Sequence, residues 1–166
     1  MDARKEGEPK HRTTVERKSD REMVITRTFN APARMVFEAW TQPALLKQWW
    51  APKSVGVILT HCEADVRTGG KYRFEFAFGE KTMAFFGKYL EVIPNARLVW
   101  TNEESDEASV TTVTFEEKDS ETLLVMHELY PSKEALDESI ARMEGTEGGM
   151  PETFGQLDEL LATLGV

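Results

Sequence analysis

The chain has 166 residues, 40% of them hydrophobic and 30% charged, and a formal net charge of −9. That is the composition of one folded domain with one sizeable core, not of a disordered chain. Residues 1–21 hold seven Lys/Arg against five Asp/Glu and the remainder holds 13 against 24, a balance that repels phosphate backbones and argues against nucleic acid or an anionic membrane surface as partner.

No apolar run approaches the ~18–20 residues of a membrane span, so no membrane insertion is expected, and no apolar signal core stands at the N-terminus. Cys62 is the only cysteine, which leaves no intrachain disulfide and makes a cytoplasmic location the simplest expectation.

Residues 1–20 mix charge with Gly, Pro and Thr without periodicity and read as a flexible N-terminal tail. A single domain is expected over residues 21–166. Glu22 to Asn30 is the first expected strand. Helix starts follow at Ala31-Pro32 and Gln42-Pro43, because proline is tolerated in a first helical turn and ends what precedes it; Pro52 marks a stop. The first helix spaces Val36, Phe37 and Trp40 for one buried stripe, and the second brings Leu46, Trp49 and Trp50 together.

Val55 to Val66 reads as a long strand with Ile58, Thr60, Cys62, Ala64 and Val66 inward and His61, Glu63 and Asp65 outward. Thr68-Gly69-Gly70 signals a hairpin. Lys71 to Phe78 then alternates Tyr72, Phe74, Phe76 and Phe78 on one face with Lys71, Arg73, Glu75 and Ala77 on the other. Strands are expected at Thr82 to Ile93, with Gly87 marking a bulge or close approach, then at Arg97 to Asn102, Val110 to Glu116 and Thr122 to Leu129. Glu103 to Ala108 reads as an acidic loop. Ser132 caps a helix carrying Leu136, Ile140 and Met143. Gly145 to Gly149 interrupts it, and a last amphipathic helix carries Met150, Phe154, Leu157, Leu161 and Leu164. Hairpin-linked strands with segregated helices predict an α+β domain: an antiparallel sheet of about six to seven strands, two short helices after strand 1 and a long C-terminal helix.

Three segments carry a family resemblance: FNAPARMVFEAWTQPALLKQWWAP from Phe29 to Pro52, DVRTGG from Asp65 to Gly70, and GKYLEVIP from Gly87 to Pro94. From about Arg21 to the C-terminus the chain resembles the family named after the activator of the heat-shock protein 90 ATPase, a branch of the SRPBCC superfamily of START-like, Bet v 1-like domains. The resemblance implies the helix-grip fold, in which a curved sheet wraps the last helix. It also implies either a ligand cavity between sheet and helix or a chaperone partner.

The residues themselves offer little reactive chemistry. No serine sits in a G-x-S-x-G elbow, and Cys62 lies beside His61 on opposite strand faces, the wrong geometry for a thiolate pair. His61-Cys62-Glu63 has no C-x-x-C companion, so no metal ligand set is assembled. The glycine pairs match no phosphate loop, and no cofactor is expected. Asp65 and Arg67 form an ion pair pinning the Gly-Gly hairpin or contact a substrate.

The aromatic surplus is the remaining signal. Phe74, Phe76, Phe78, Phe85, Tyr89 and Trp100 crowd neighbouring strands, Phe154 faces them, and Trp50 closes one end. His127, alternating with Val125 and Leu129, is a candidate for the cavity's mouth. Such rings are ordinary core material, each worth roughly 1.5–3 kcal/mol on burial. A sheet curved around one helix nevertheless encloses extra volume. A dry ~300 Å³ void would cost about 7 kcal/mol, so side chains, water or ligand must fill it.

Three functions stay open at this level. The first is non-catalytic, stress-related binding of a small hydrophobic or amphipathic molecule at Trp50, Phe74, Phe76, Phe78, Phe85, Tyr89, Trp100, His127 and Phe154. The second is a chaperone-associated role, and the third a cyclase or hydrolase acting through Tyr89, His127 or a cavity carboxylate. An exposed Trp49-Trp50 pair would support a homodimer, but a buried pair is expected, and monomer and homodimer both stay open.

Overall fold

The computed structural model describes residues 12–50, 56, 58–103, 108–142 and 150–164. Among them are eight strands: β1 (Thr14–Arg17), β2 (Glu22–Phe29), β3 (Ile58–Ala64), β4 (Lys71–Phe78), β5 (Lys81–Ile93), β6 (Arg97–Asn102), β7 (Ser109–Lys118) and β8 (Glu121–Leu129). They form one sheet in the order β1-β2-β8-β7-β6-β5-β4-β3, with each neighbouring pair antiparallel. From β3 to β8 the sheet is a meander built by hairpins. β2 then pairs with β8 and leaves β3 at the opposite edge. The connection between them carries α1 (Ala33–Thr41) and α2 (Pro43–Trp49). α3 (Lys133–Arg142) and α4 (Met150–Leu164) complete the α+β domain.

Local chemistry explains the helix starts. Pro32 offers α1 no side-chain cap, and the Glu117 carboxylate from β7 accepts the Ala33 N–H at 2.8 Å instead. A carboxylate there satisfies an orphan donor and complements the helix dipole. Pro43 opens α2 at its first position, where a missing N–H costs nothing.

One face of the sheet is buried. Ile25 and Phe29 of β2, Leu124 and Met126 of β8, Val113 and Phe115 of β7, Leu98 and Trp100 of β6 and Tyr72, Phe74 and Phe76 of β4 share a core. Val36 and Trp40 of α1, Leu46 and Trp49 of α2 and Phe154, Leu157 and Leu161 of α4 fill its other side. Two polar ties fix α4. Asp158 accepts from Arg27 at 3.2 Å, and Gln156 donates to the Trp49 carbonyl at 2.9 Å.

Three expectations need correction. The tail does not extend to residue 20, because Thr14–Arg17 pairs with Met23–Thr26 as an edge strand. Backbone pairing, Val15 against the core and an Arg17–Asp137 ion pair at 2.8 Å hold so polar a strand, and its single apolar residue leaves little signal in the sequence. The sheet accordingly has eight strands rather than six or seven. In β3, Ile58 is 64% exposed while Leu59 packs on the core. A register shift between Leu59 and His61 reverses the side-chain alternation below Cys62. The expectations on residues 1–11, Pro52, Met143 and Gly145 to Gly149, and on much of the acidic loop, fall outside the described residues.

Candidate functional site

The expected aromatic set assembles on the inner face. Phe74, Phe76, Tyr89, Trp100 and Phe154 are all buried there, and half-buried Trp50 meets Phe74 edge-on at 6.1 Å. Phe78 belongs to β4, but its side chain is outside the described set. Trp40, expected in the buried stripe of the first helix but not in the ligand-binding set, is the hub. Its ring lies 5.0 Å from Trp49, 5.8 Å from Trp50, 6.0 Å from Trp100 and 6.2 Å from Phe154. These are the edge-on and tilted separations that ring quadrupoles favour. The Trp49-Trp50 pair is thus part of the core rather than an exposed dimer face.

Phe85 departs from its expected place. It is the register partner of Phe74 and meets Phe76 at 5.2 Å, yet it is 37% exposed, and Met83 opposite Phe76 is 43% exposed. Both therefore sit at the open end of the aromatic row, as its rim.

His127 leaves the site altogether. Leu124 and Met126 face the core, so the alternation turns His127 to the outer face, where its Nε2 lies 2.7 Å from Glu22 Oε1. The His127 hydrogen bond, helped by Ser19, holds the Glu22 carboxyl below its ordinary range. A carboxyl depressed in the folded state stabilises above its unfolded pKa, and that contribution fades as pH falls through the folded value. Glu22→Gln should therefore flatten the loss of Tm on acidification from pH 5 towards pH 3, followed by circular dichroism. Identical acid profiles for the two proteins would contradict the pairing.

Two ionisable groups beside the rings, Cys62 and Tyr89, are held neutral. Burial pushes the Cys62 thiol up from its ordinary 9.0 to about 11, and raises Tyr89 as well. A two-unit rise leaves about one hundredth of the usual thiolate at pH 8. Because a less acidic thiolate is also more nucleophilic, iodoacetamide should label Cys62 at least about ten-fold more slowly than a free thiol, as read by mass spectrometry. Labelling at the free-thiol rate would contradict a buried, inert cysteine. Glu128, which the sequence reading also missed, shares the inner register of Met23 and Thr111. Burial raises its carboxyl, but its neighbours are Tyr130 and, through it, Ser139 of α3, not the aromatic set.

A small polar network borders the rings. The Tyr72 hydroxyl donates to the Thr101 carbonyl at 2.6 Å and lies 3.1 Å from Asn102 Oδ1. Asn102 Nδ2 donates to Ser109 and Thr111 at 3.1 and 3.0 Å. The alternation that places Leu98 and Trp100 inward also places Asn102 there, which is the signal that identifies it. Two donors stand outside this network. The Trp40 indole N–H is buried without a partner, and the Tyr89 hydroxyl donates no hydrogen bond among the described residues. Both rings neighbour Trp100, Tyr89 at 6.5 Å.

The expected hairpin ion pair is present: Arg67 Nε lies 2.9 Å from Asp65 Oδ2, with both side chains more than half exposed. Exposed pairs contribute about 0–1 kcal/mol.

Comparison with known proteins extends these observations. The structure superposes on a Rhodobacter sphaeroides protein with a TM-score of 0.82 at 27% identity, covering 92% of this chain and 99% of that one. A Nitrosomonas europaea protein gives 0.74 at 24% identity over 90% and 99% of the two chains. An Aeromonas hydrophila protein described as AHSA1-like gives 0.66 at 17% identity over 86% and 94%. None of the curated proteins matches the chain. The family model described as activator of Hsp90 ATPase homolog 1-like protein matches residues 30–162. With the helix-grip architecture in place, the chain belongs to the activator of Hsp90 ATPase homolog 1-like family of the SRPBCC superfamily.

Proposed function

We propose that the inner face binds a small apolar or amphipathic molecule that carries a hydrogen-bond acceptor. The observation that carries this reading is the buried Trp40 indole N–H, which has no partner among the described residues, in an aromatic cage. Buried polar groups are almost always paired, and an orphan costs about 1–3 kcal/mol. A ligand oxygen beside Trp40 and Tyr89 removes that cost, while the rings around it supply apolar contact. Met83 and Phe85 add exposed apolar surface at the edge of the same face. His127, on the opposite face, takes no part, and neutral Cys62 and Tyr89 supply neither thiolate nor phenolate. The reading is therefore binding rather than catalysis. A chaperone partner is supported by the family's name alone.

A thermal-shift series with lauric acid, flavone and 2-naphthol tests the proposal. A ligand at a hundred times its Kd adds about 2.7 kcal/mol of stability, which for a chain of this size raises Tm by roughly 5–10 °C. Tyr89→Phe should weaken an acceptor-bearing ligand about five- to ten-fold, since one neutral hydrogen bond is worth about 1 kcal/mol. Without ligand the variant should be at least as stable as the parent. No shift with any probe would count against binding. A loss of stability in unliganded Tyr89→Phe would show that the hydroxyl already has a partner.

A further inference from the structure

We infer that the outer face of β4 and β5 carries a second binding site, which takes a small aromatic anion. An indentation of about 510 Å³ opens there, and Lys71, Arg73, Phe86, Lys88, Glu63 and Glu103 are among the residues that line it. It lies through the sheet from the aromatic cage, because Lys71 and Arg73 alternate with inward Tyr72 and Phe74.

The fold creates this recess at a break in the strand pairing. β5 pairs regularly with β6 only beyond Tyr89, where its register shifts. Before that point the end of β6 closes over Gly87: the Glu103 N–H donates to the Phe86 carbonyl at 2.8 Å, and a Cβ on Gly87 would meet the Thr101 carbonyl oxygen at 2.0 Å. Bulges of this kind often accompany binding sites, since they re-aim the side chains next to them.

The side chains at the break have a definite chemistry. Lys71 and Lys88 are direct cross-strand partners, an arrangement in which like charges repel. Of the three cations there, Arg73 is paired through its Nε with Glu75 at 2.8 Å, which leaves the two facing lysines as the cations turned to the recess. Of the carboxylates, Glu63 lies 3.3 Å from His61 and Glu103 accepts from the Thr101 hydroxyl. An oxyanion between the two lysines relieves their repulsion. Beside them the Arg73 guanidinium lies 5.6 Å from the centre of the Phe86 ring, forming a flat shelf, with Phe86 36% exposed. Phe86 and Lys88 are two residues apart on one strand, about 6.7 Å. That spacing suits one aromatic ring bearing a carboxylate or phosphate directly on it.

Amide chemical-shift mapping of the full chain tests the site with four probes: phenyl phosphate, benzoate, inorganic phosphate and benzyl alcohol. At least one of the aromatic anions should shift the Lys71, Gly87 and Lys88 amides saturably, with a Kd at least ten-fold below those of inorganic phosphate and benzyl alcohol. The tighter of the two identifies the oxyacid. Lys88→Glu should raise that Kd at least ten-fold while the remaining spectrum stays in place, and Lys71→Gln should raise it too. Absent or unsaturable shifts, equal binding of inorganic phosphate, or a Kd unchanged in both variants would overturn the inference. Shifts confined to Trp100, Tyr89 and Phe154 would assign the anion to the inner cage and overturn it equally.

Discussion

Replacing Gly87 with alanine should destabilise the protein by about 3 kcal/mol, at the upper end of ordinary point substitutions. A Cβ there meets the Thr101 carbonyl oxygen at 2.0 Å and the Thr101 hydroxyl oxygen at 2.9 Å. The first contact is with backbone, so relief requires the end of β6 to move away from β5. That movement would strain the hydrogen bond from the Lys88 N–H to Thr101 Oγ1 and the one from Tyr72 to the Thr101 carbonyl. For a domain of this size the expected fall in Tm is roughly 6–12 °C. Gly79 supplies the control. Its φ of +61° favours glycine, but nothing lies within 4 Å of an added Cβ, so Gly79→Ala should cost only about 1–2 kcal/mol. Chemical denaturation of both variants reads the difference. Equal losses would mean that the β5–β6 approach is not as tight as the structure has it.

Trp49→Ala is expected to cost more, about 4–5 kcal/mol, as large aromatic truncations in a core do. Trp49 is fully buried, touches Trp40, Trp50 and Phe154, and donates its indole N–H to the Ala39 carbonyl at 2.9 Å. Its removal leaves a cavity where α1, α2 and α4 meet and strands that carbonyl. Half-buried Trp50 makes the useful contrast. Trp50→Ala should lose only about 1–2 kcal/mol, in proportion to its smaller buried area. Urea denaturation at constant pH distinguishes the two, and a reversed ranking would refute the hub assigned to α1 and α2.

The sequence made some of this visible for identifiable reasons. β4 was legible because Tyr72, Phe74 and Phe76 alternate with charged residues, a pattern only one face can bury. The starts of α1 and α2 were legible because Pro32 and Pro43 mark them. β8 was ambiguous, since Leu124 and Met126 alternate with equally apolar Val125 and Leu129. Pairing with β2 and β7 decides which set faces inward, and that decision sends His127 outward. Ile58 was misassigned because the shift at Leu59–His61 arises from pairing with β4 and leaves no local mark. Exposure at Phe85 depends on what packs over β5, which strand alternation does not report. The Lys71–Lys88 juxtaposition exists only through strand register, so no linear motif reports it.

Ligand entry into the aromatic cage is the central claim, and the indole N–H signals test it most directly. The chain has four tryptophans, each giving one indole resonance in a proton–nitrogen correlation spectrum. On titration with the best ligand from the thermal series, the Trp40, Trp50 and Trp100 signals should shift saturably. Trp49, already bonded to Ala39, should shift least, and the Trp40 signal should move in the direction of a newly formed hydrogen bond. A ligand that raises Tm while leaving the Trp40 and Trp100 signals unmoved would contradict binding within the cage.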